Sequence, residues 1–385
     1  MADEEAFLQD IAAHPDDDAP RLIFADWLEE RGDSRAEWIR VQCESARLQA
    51  SGAPFSDLQR REQELLRERR AASLAELQTL GVRDLRFSRG FVEKIQCEGT
   101  RFLDLSRLLF KQAPTLRGMM WRGTSRDAAE MLPRLFNSPF LRSLTALDLS
   151  RNGLRAAALA SLSAASRLSQ VKSLNLAHNQ LAGQGILELT DSPYLGGLAA
   201  LNLAGNDLGA ADAKILARTS RLAQLKTLSL DENRIGDDGL RALAASRYLG
   251  GLETLSLANN EIGTAGVRGL ATSLHLVQLT TLNLAQSNLG QPGAAMLASA
   301  ANFSRLRVLQ LSRCEIDAEG ARALAASPYL KNLTTLDLAG NQIESGVQAL
   351  LDAPHFGQLQ NLDLRENSVA EPHRLIERFG ERVRV

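Results

Sequence analysis

The stretch LKTLSLDENRIGDDGLRALAASRYLGG, residues 225–251, decides the fold, because the pattern inside it returns every 27 residues. Its Leu230 belongs to a series: Leu149, Leu176, Leu203, Leu230, Leu257, Leu284, Leu311 and Leu338, each 27 residues after the last, with Leu364 following after 26. Two residues before each stands another leucine, from Leu147 to Leu362. Five before stands a third apolar residue, from Leu144 through Val171 to Leu359. Three after stand Asn152, Asn179, Asn206, Asn233, Asn260, Ser287, Cys314, Asn341 and Asn367. A fixed period of this length marks units that cannot bury their apolar faces alone and stack to do so.

Elementary geometry assigns each position a job. Side chains alternate along a strand, so Leu225, Leu228 and Leu230 point inward while Thr227 and Ser229 face the other way. The asparagine then turns the chain. Buried backbone groups at a turn need partners, and an Asn amide supplies two donors and an acceptor. A ladder of asparagines linking stacked turns is expected, with Ser287 and Cys314 as weaker rungs. Next come an apolar residue (Leu154, Leu181, Leu208, Ile235 and their equivalents), a Gly or Asp turn, and an Ala/Leu-rich helix such as 236–249, with Leu240 and Leu243 inward. Gly185, Gly239, Gly266, Gly293 and Gly320 recur six residues past the ladder, near a helix start, where glycine permits close backbone approach or an unusual turn.

The motif L-x-x-L-x-L-x-x-N, repeated nine times, resembles the leucine-rich repeat, and its length resembles the ribonuclease-inhibitor type. That resemblance implies an α/β fold: a right-handed horseshoe solenoid with parallel strands on the concave side and helices on the convex side, preceded here by an α-helical domain. Leu116, Met119, Trp121 and Thr124 fit the template imperfectly, and Phe91-Val92, Ile95 and Cys97 more loosely, with a helix at 101–114 between them. The expected organisation is therefore 1–80 helical cap, 81–143 degenerate repeats, 144–371 nine regular repeats and 372–385 a C-terminal capping helix. In that last segment Leu375, Ile376 and Phe379 should share one face.

Residues 1–80 lack the period. EEAFLQDIAAH (4–14) reads as a short helix. A second helix begins at an Asp17 or Asp18 cap, carries Leu22, Ile23, Trp27 and Leu28 inward, and stops at Gly32. A third runs over 34–49 with Trp38, Ile39 and Val41 inward, and is broken at Ser51-Gly52-Ala53-Pro54. A charged fourth helix reaches about Leu80, with Leu58, Leu65, Leu66, Leu74 and Leu77 as its stripe. The run PDDDAPRLIFADWLEERGDSRAEWIRVQ (15–42), with R-G-F-V at Arg89–Val92, resembles the repeat-companion module found at the N-terminus of bacterial, notably planctomycete, repeat proteins. That module implies an architecture and a bacterial source, and no reaction. The excess of Arg over Lys and the abundance of Ala also hint at a GC-rich bacterial genome.

Bulk composition excludes several functions. The net charge of −2 carries no basic footprint for nucleic acid. The three cysteines are unpaired in spacing and two sit at core positions, which fits a reducing, cytoplasmic setting. The acidic N-terminus does not read as a signal peptide, and no apolar run approaches the roughly 18–20 residues of a membrane span. No histidine pair has metal spacing, and no nucleophile motif or phosphate loop is present. Asp16–Asp18 lacks the glycine and distal glutamate of a calcium loop. No catalytic, metal or cofactor residue is assigned. His275 and His355 share a helix-end slot with all three tyrosines of the chain, a structural position.

What remains is binding. The strand's central outward residues are Asp148, Asn175, Asn202, Ser229, Ser256, Asn283, Gln310, Asp337 and Asp363, with no aromatic anchor of the kind that dominates interfaces. Arg151, Asp231, Glu232, Arg313, Arg365 and Glu366 flank them as candidate partner contacts. The expected function is a non-catalytic protein-interaction scaffold with a protein partner. The alternative is an enzyme regulator, an inhibitor of the ribonuclease-inhibitor kind or a GTPase activator resembling that of Ran. Residues 1–33 hold eleven Asp/Glu against Arg21 and Arg31; the helical region reads as an N-terminal cap, and the alternative is that its acidic segment also steers a basic partner, engaged by the helical module and the first coils more strongly than by the mid-array strand face.

Overall fold

A computed structural model of the chain describes residues 2–51, 56–123, 125–369 and 371–385. The break from Gly52 to Pro54, the turn residue Thr124 and the side chain of Leu74 lie outside what is described. The chain divides into two compact units, Met1–Asn152 and Gly153–Val385.

The first unit opens with four helices: α1 (Ala2–Ala13), α2 (Ala19–Glu29), α3 (Arg35–Ser51) and α4 (Ser56–Gln78). A hairpin of β1 (Val82–Ser88) and β2 (Phe91–Glu98) follows, then α5 (Gly99–Gln112), β3 (Gly118–Arg122), α6 (Ser125–Phe136) and β4 (Ala146–Asp148). Strand β1 is antiparallel to β2, whereas β2, β3 and β4 are parallel. The sequence reading missed β1. Its signal was the Arg89-Gly90 pair, whose φ values of 50° and 91° are those of a tight two-residue hairpin turn.

The core of the helical region is Ile11, Phe24, Ala25, Leu28, Ala36, Ile39 and Cys43, with Phe7, Leu8, Trp27 and Phe91 packed against it. Helix α2 is thus rotated from the expected face: Leu22 and Ile23 are exposed, at 39% and 56%. Arg21 causes the rotation. Its guanidinium turns inward and donates to the carbonyls of Asp17 (2.6 Å), Pro15 (2.7 Å) and His14 (3.4 Å), closing the α1–α2 turn. The residues three, four and seven positions on, Phe24, Ala25 and Leu28, follow it into the core. Asp17 accepts from the Ala19 amide, while Asp18 faces Arg89 at 2.9 Å. In α3, Trp38 and Ile39 are buried as expected, but Val41 is half-buried and Gln42 and Cys43 take the inner positions. In α4, Leu65 and Leu77 are buried and Leu58 and Leu66 half-buried.

The second unit is a stack of near-identical coils. Its strands are β5 (Ser173–Asn175), β6 (Ala200–Asn202), β7 (Thr227–Ser229), β8 (Thr254–Ser256), β9 (Thr281–Asn283), β10 (Val308–Gln310), β11 (Thr335–Asp337), β12 (Asn361–Asp363) and β13 (Val383–Arg384). All pair in parallel in chain order. The repeat sets the register: Thr227, Leu228 and Ser229 oppose Thr254, Leu255 and Ser256. From Val171 to Leu364, every apolar residue of the three inward strand positions is at most 1% exposed. Opposite the strands lie short helices such as Gly236–Ala244, whose Leu240 and Leu243 are buried. A Cβ at Gly239 would meet the Ala213 methyl at 3.0 Å and the Ala210 Cα at 3.2 Å, so glycine permits helix-to-helix approach there.

A second polar ladder runs beneath the helix ends. The hydroxyls of Ser192, Thr219, Ser246, Ser273 and Ser327 donate to the carbonyls of Ser163, Thr190, Ala217, Ala244 and Ala298 in the preceding coil. Several also accept from the amide two residues on, as Ser246 does from Tyr248. The same column holds Ala165, Ala300 and Ala353, where this link is missing. The Ser/Thr column was present in the period and unread.

The chain closes differently from the expected helix. The last helix is Pro372–Phe379, burying Leu375 and Phe379 and leaving Ile376 53% exposed. Leu375 and Phe379 are four residues apart and share a face; Ile376 is one step round. Gly380 then turns at φ +60°, and β13 pairs with β12, with Leu364 N–H donating to Arg384 O at 2.7 Å.

Candidate functional site

The asparagine ladder fixes the turns that frame the strand-side face. Asn233 donates through Nδ2 to Leu230 O (2.7 Å), Asp231 O (3.0 Å) and, one coil back, Leu203 O (3.1 Å). Its Oδ1 accepts from the amides of Asn206 and Leu208, both at 3.0 Å. Asn206, Asn341 and Asn367 repeat this set with small differences, and Asn152, Asn179 and Asn260 make parts of it. Asn367 is half-buried, unlike the others. At the two substituted positions the outcomes diverge. Cys314 Sγ lies 3.1 Å from Leu284 O and acts as a rung, its thiol pushed up to about 12 by burial. Ser287 Oγ is too short, buried without a hydrogen-bond partner.

The central outward row has a structural task that the sequence reading did not see. The side-chain oxygens of Asn175, Asn202, Asn283 and Asp337 each accept, at 3.0 Å, from the backbone amide two residues on. Asp148 and Asp363 do the same at 2.9 and 3.2 Å. This turn chemistry belongs to Asn and Asp, which explains why the row is rich in them. Where the row holds Ser229 and Ser256, Asp231 substitutes: its carboxylate accepts from both hydroxyls (3.1 and 2.6 Å) and from the Ala258 amide (2.8 Å). Asp231, expected as a contact, is thus held by the turn of the next coil.

The residue before each rung adopts a left-handed backbone: Arg151, His178, Gly205, Glu232, Asn259, Gln286, Arg313, Gly340 and Glu366 all lie between φ 54° and 65°. Two glycines in this column let long side chains cross a coil. Arg313 reaches over Gly340 to Glu366 at 2.8 Å, and a Cβ on Gly340 would meet Arg313 Cγ at 2.7 Å. His178 lies over Gly205, 4.0 Å from Glu232. Arg365 pairs with Asp363 at 2.6 Å, and its hydrogen bonds hold that carboxyl below the usual carboxylate range. Of the six candidate contacts, then, Arg313 and Glu366 meet each other, Arg365 meets Asp363, Glu232 sits near His178, and Arg151 is exposed. They are not assembled into one cluster.

The first unit accounts for its own motif residues. Arg40 bridges Asp26 (2.7 Å) and Glu29 (2.6 Å), Arg31 stacks 3.8 Å over Trp27, and Gln42 Oε1 accepts from the Gly90 amide at 2.7 Å. Five of the eleven acidic residues in 1–33 are paired with arginines outside the run: Glu4 and Asp33 with Arg35, Asp18 with Arg89, and Asp26 and Glu29 with Arg40. Burial raises the Cys43 and Cys97 thiols to about 12. Among the described residues no group of three or more His, Cys, Asp or Glu is placed to hold a metal ion. Among them, too, no helix is long and apolar enough to cross a membrane.

Comparison with known proteins agrees with this geometry. Residues 140–163, 169–189, 224–244, 252–271, 305–325 and 329–350 match the Leucine Rich repeat family. The chain is a leucine-rich-repeat protein, a solenoid of parallel strands alternating with helices, with a helical region ahead of the repeats. Among solved structures it is similar to an internalin (inlF) from Listeria monocytogenes str. 4b F2365, at 19% identity and a TM-score of 0.45, over 78% of this chain and 89% of that one. No curated protein matches it.

Proposed function

We propose that this protein is a non-catalytic interaction scaffold whose strand-side face in the second unit receives another protein. The observation that carries the reading is the turn chemistry of that face. Its Asn and Asp oxygens are committed to the backbone, and its remaining outward positions, Thr227, Thr254, Thr281 and Thr335, are small. The result is a smooth polar surface on a rigid sheet, suited to contact with a folded partner's surface rather than to holding a reacting group. Arg313, Arg365 and Glu366 lie beside it as charged rim contacts, Arg313 pairing with Glu366 and Arg365 with Asp363 of the face itself.

The N-terminal resemblance supports a bacterial repeat-companion module at 1–80, serving as a cap in a cytoplasmic protein. Residues 81–143 then form degenerate repeats, 144–371 the regular array, and 372–385 its closing segment. A second reading, an enzyme regulator of the ribonuclease-inhibitor or GTPase-activator kind, is favoured by the genuine helices opposite the strands, such as Gly236–Ala244. Capture from a lysate of the native host tests the surface. The double variant Thr254→Arg, Thr281→Arg should lose the partner held by the parent, whereas Arg268→Glu on the helical side should keep it. Equal capture by both variants contradicts the assignment. Accelerated or inhibited turnover of a captured enzyme selects the second reading.

A further inference from the structure

A cleft of 470 Å³ opens in the first unit between α3, α4 and the β1–β2 turn. It belongs to the first unit and is not used by the proposed scaffold function. At its wall Ser45 is 94% buried, since 6% of it is exposed, and its Oγ has no hydrogen-bond partner. A buried hydroxyl left unpaired is destabilising, and the cost is relieved when a ligand supplies the partner. Beside it Gln42 is fixed from both sides: its Oε1 accepts from the Gly90 amide (2.7 Å) and its Nε2 donates to Glu62 Oε1 (2.9 Å). That arrangement orients the Glu62 carboxylate at the cleft and leaves its second oxygen for a visitor.

The lining defines the visitor's chemistry. Gln49, Gln59 and Gln63 add amides that both donate and accept, and Ser88 adds a hydroxyl. The cation Arg89 is already opposed by Asp18 at 2.9 Å. With that charge balanced and Glu62 on the same wall, the lining offers an anion no net positive charge. Phe87 and Leu66 contribute an apolar patch, suited to the C–H face of a ring. A ligand with adjacent hydroxyls meets all of these, because each hydroxyl donates once and accepts twice. We propose that this cleft binds a neutral polyhydroxylated ligand of monosaccharide size, with Ser45 and Glu62 as its principal hydrogen-bond partners.

The test uses the full chain and protein-observed NMR, titrated with glucose, galactose, mannose and glycerol, and with glycylglycine amide and acetate as amide and anion probes. The expected result is saturable shifts at Ser45, Gln49 and Glu62 with at least one sugar. Ser45→Ala should weaken that binding about five-fold or more, while raising the thermal midpoint of the unliganded protein by removing an unpaired hydroxyl. Gln49→Ala, at an exposed rim position, keeps the fold intact and should also weaken binding. Absence of any saturable shift with the sugars overturns the proposal. So does preferential binding of the dipeptide amide or acetate, or unchanged sugar affinity in both variants.

Discussion

Asn233 serves five backbone groups across two coils with one amide. Replacing it by alanine strands buried donors and acceptors, each worth about 1–3 kcal/mol. Asn233→Ala should therefore lower the denaturant midpoint by an amount matching at least about 2 kcal/mol, measured with an unchanged m-value. Ser287→Asn runs the other way. It gives the orphaned Ser287 position the reach of its neighbours and should stabilise by about 1 kcal/mol. Cys314→Asn should be neutral or mildly stabilising, because the thiol already contacts Leu284 O at 3.1 Å. A strongly destabilised Cys314→Asn would mean that coil is packed around sulfur. The thiols also set a pH dependence. Burial raises the folded pKa of Cys97 and Cys314 from 9.0 to about 12. The stability they contribute is full below pH 9 and is lost as pH climbs from 9 toward 12, where the unfolded chain ionises first. Melts across that range should show the decline, and Cys97→Ala with Cys314→Ala should flatten it. A decline of the same size without the thiols would assign it to other groups.

At the scale of elements, strand and rung positions were legible because a repeat writes the same physics nine times. The three inward leucines, the turn and the helix face all follow from a period of two giving way to a helical one. Less legible was anything decided by a partner outside the local pattern. Arg21 turned α2 because three carbonyls at the α1–α2 turn needed donors. Strand β1 hid because its burial alternates irregularly around two register shifts. The central outward row looked like a binding surface, and its composition turned out to answer the turn. The sequence pattern of the far end predicts helix throughout, whereas Gly380 redirects it into β13. That strand covers the edge of β12, which otherwise presents unpaired backbone. Deleting residues 372–385 removes Leu375 and Phe379 from the core and the β13 partner from Leu364. The truncated protein should aggregate or melt earlier than any surface variant. An unchanged melt and unchanged solubility would make the segment a dispensable tail.

For the whole molecule, the structure reapportions charge more than it changes the fold. The acidic run at 1–33 looked like a steering field for a basic partner. Five of its eleven carboxylates instead sit within 3 Å of an arginine, at Arg35, Arg40 and Arg89. Reversal of Asp3, Glu5 and Asp10, which are exposed, should alter partner association only slightly at about 0.15 M salt, where screening acts over roughly 8 Å. Reversal of Glu4 should also cost stability through its 2.8 Å pair with Arg35. A large, salt-sensitive loss of association rate from the three exposed reversals would restore the steering role. The candidate contacts were only partly legible for the same reason. Side chains at 313 and 366 are 53 residues apart in sequence and meet because Gly340, in the one coil between them, leaves room. The central claim is that the strand-side face of the second unit is where a partner binds. Hydrogen exchange of the captured complex tests it most directly. Amides of the segments around Thr227–Ser229, Thr254–Ser256 and Thr281–Asn283, with the turns that follow them, should gain protection on binding, while the helices Gly236–Ala244 and Thr264–Ala271 stay as they are. Protection confined to those helices, or to residues 2–51, with no change along the strands, would contradict the account.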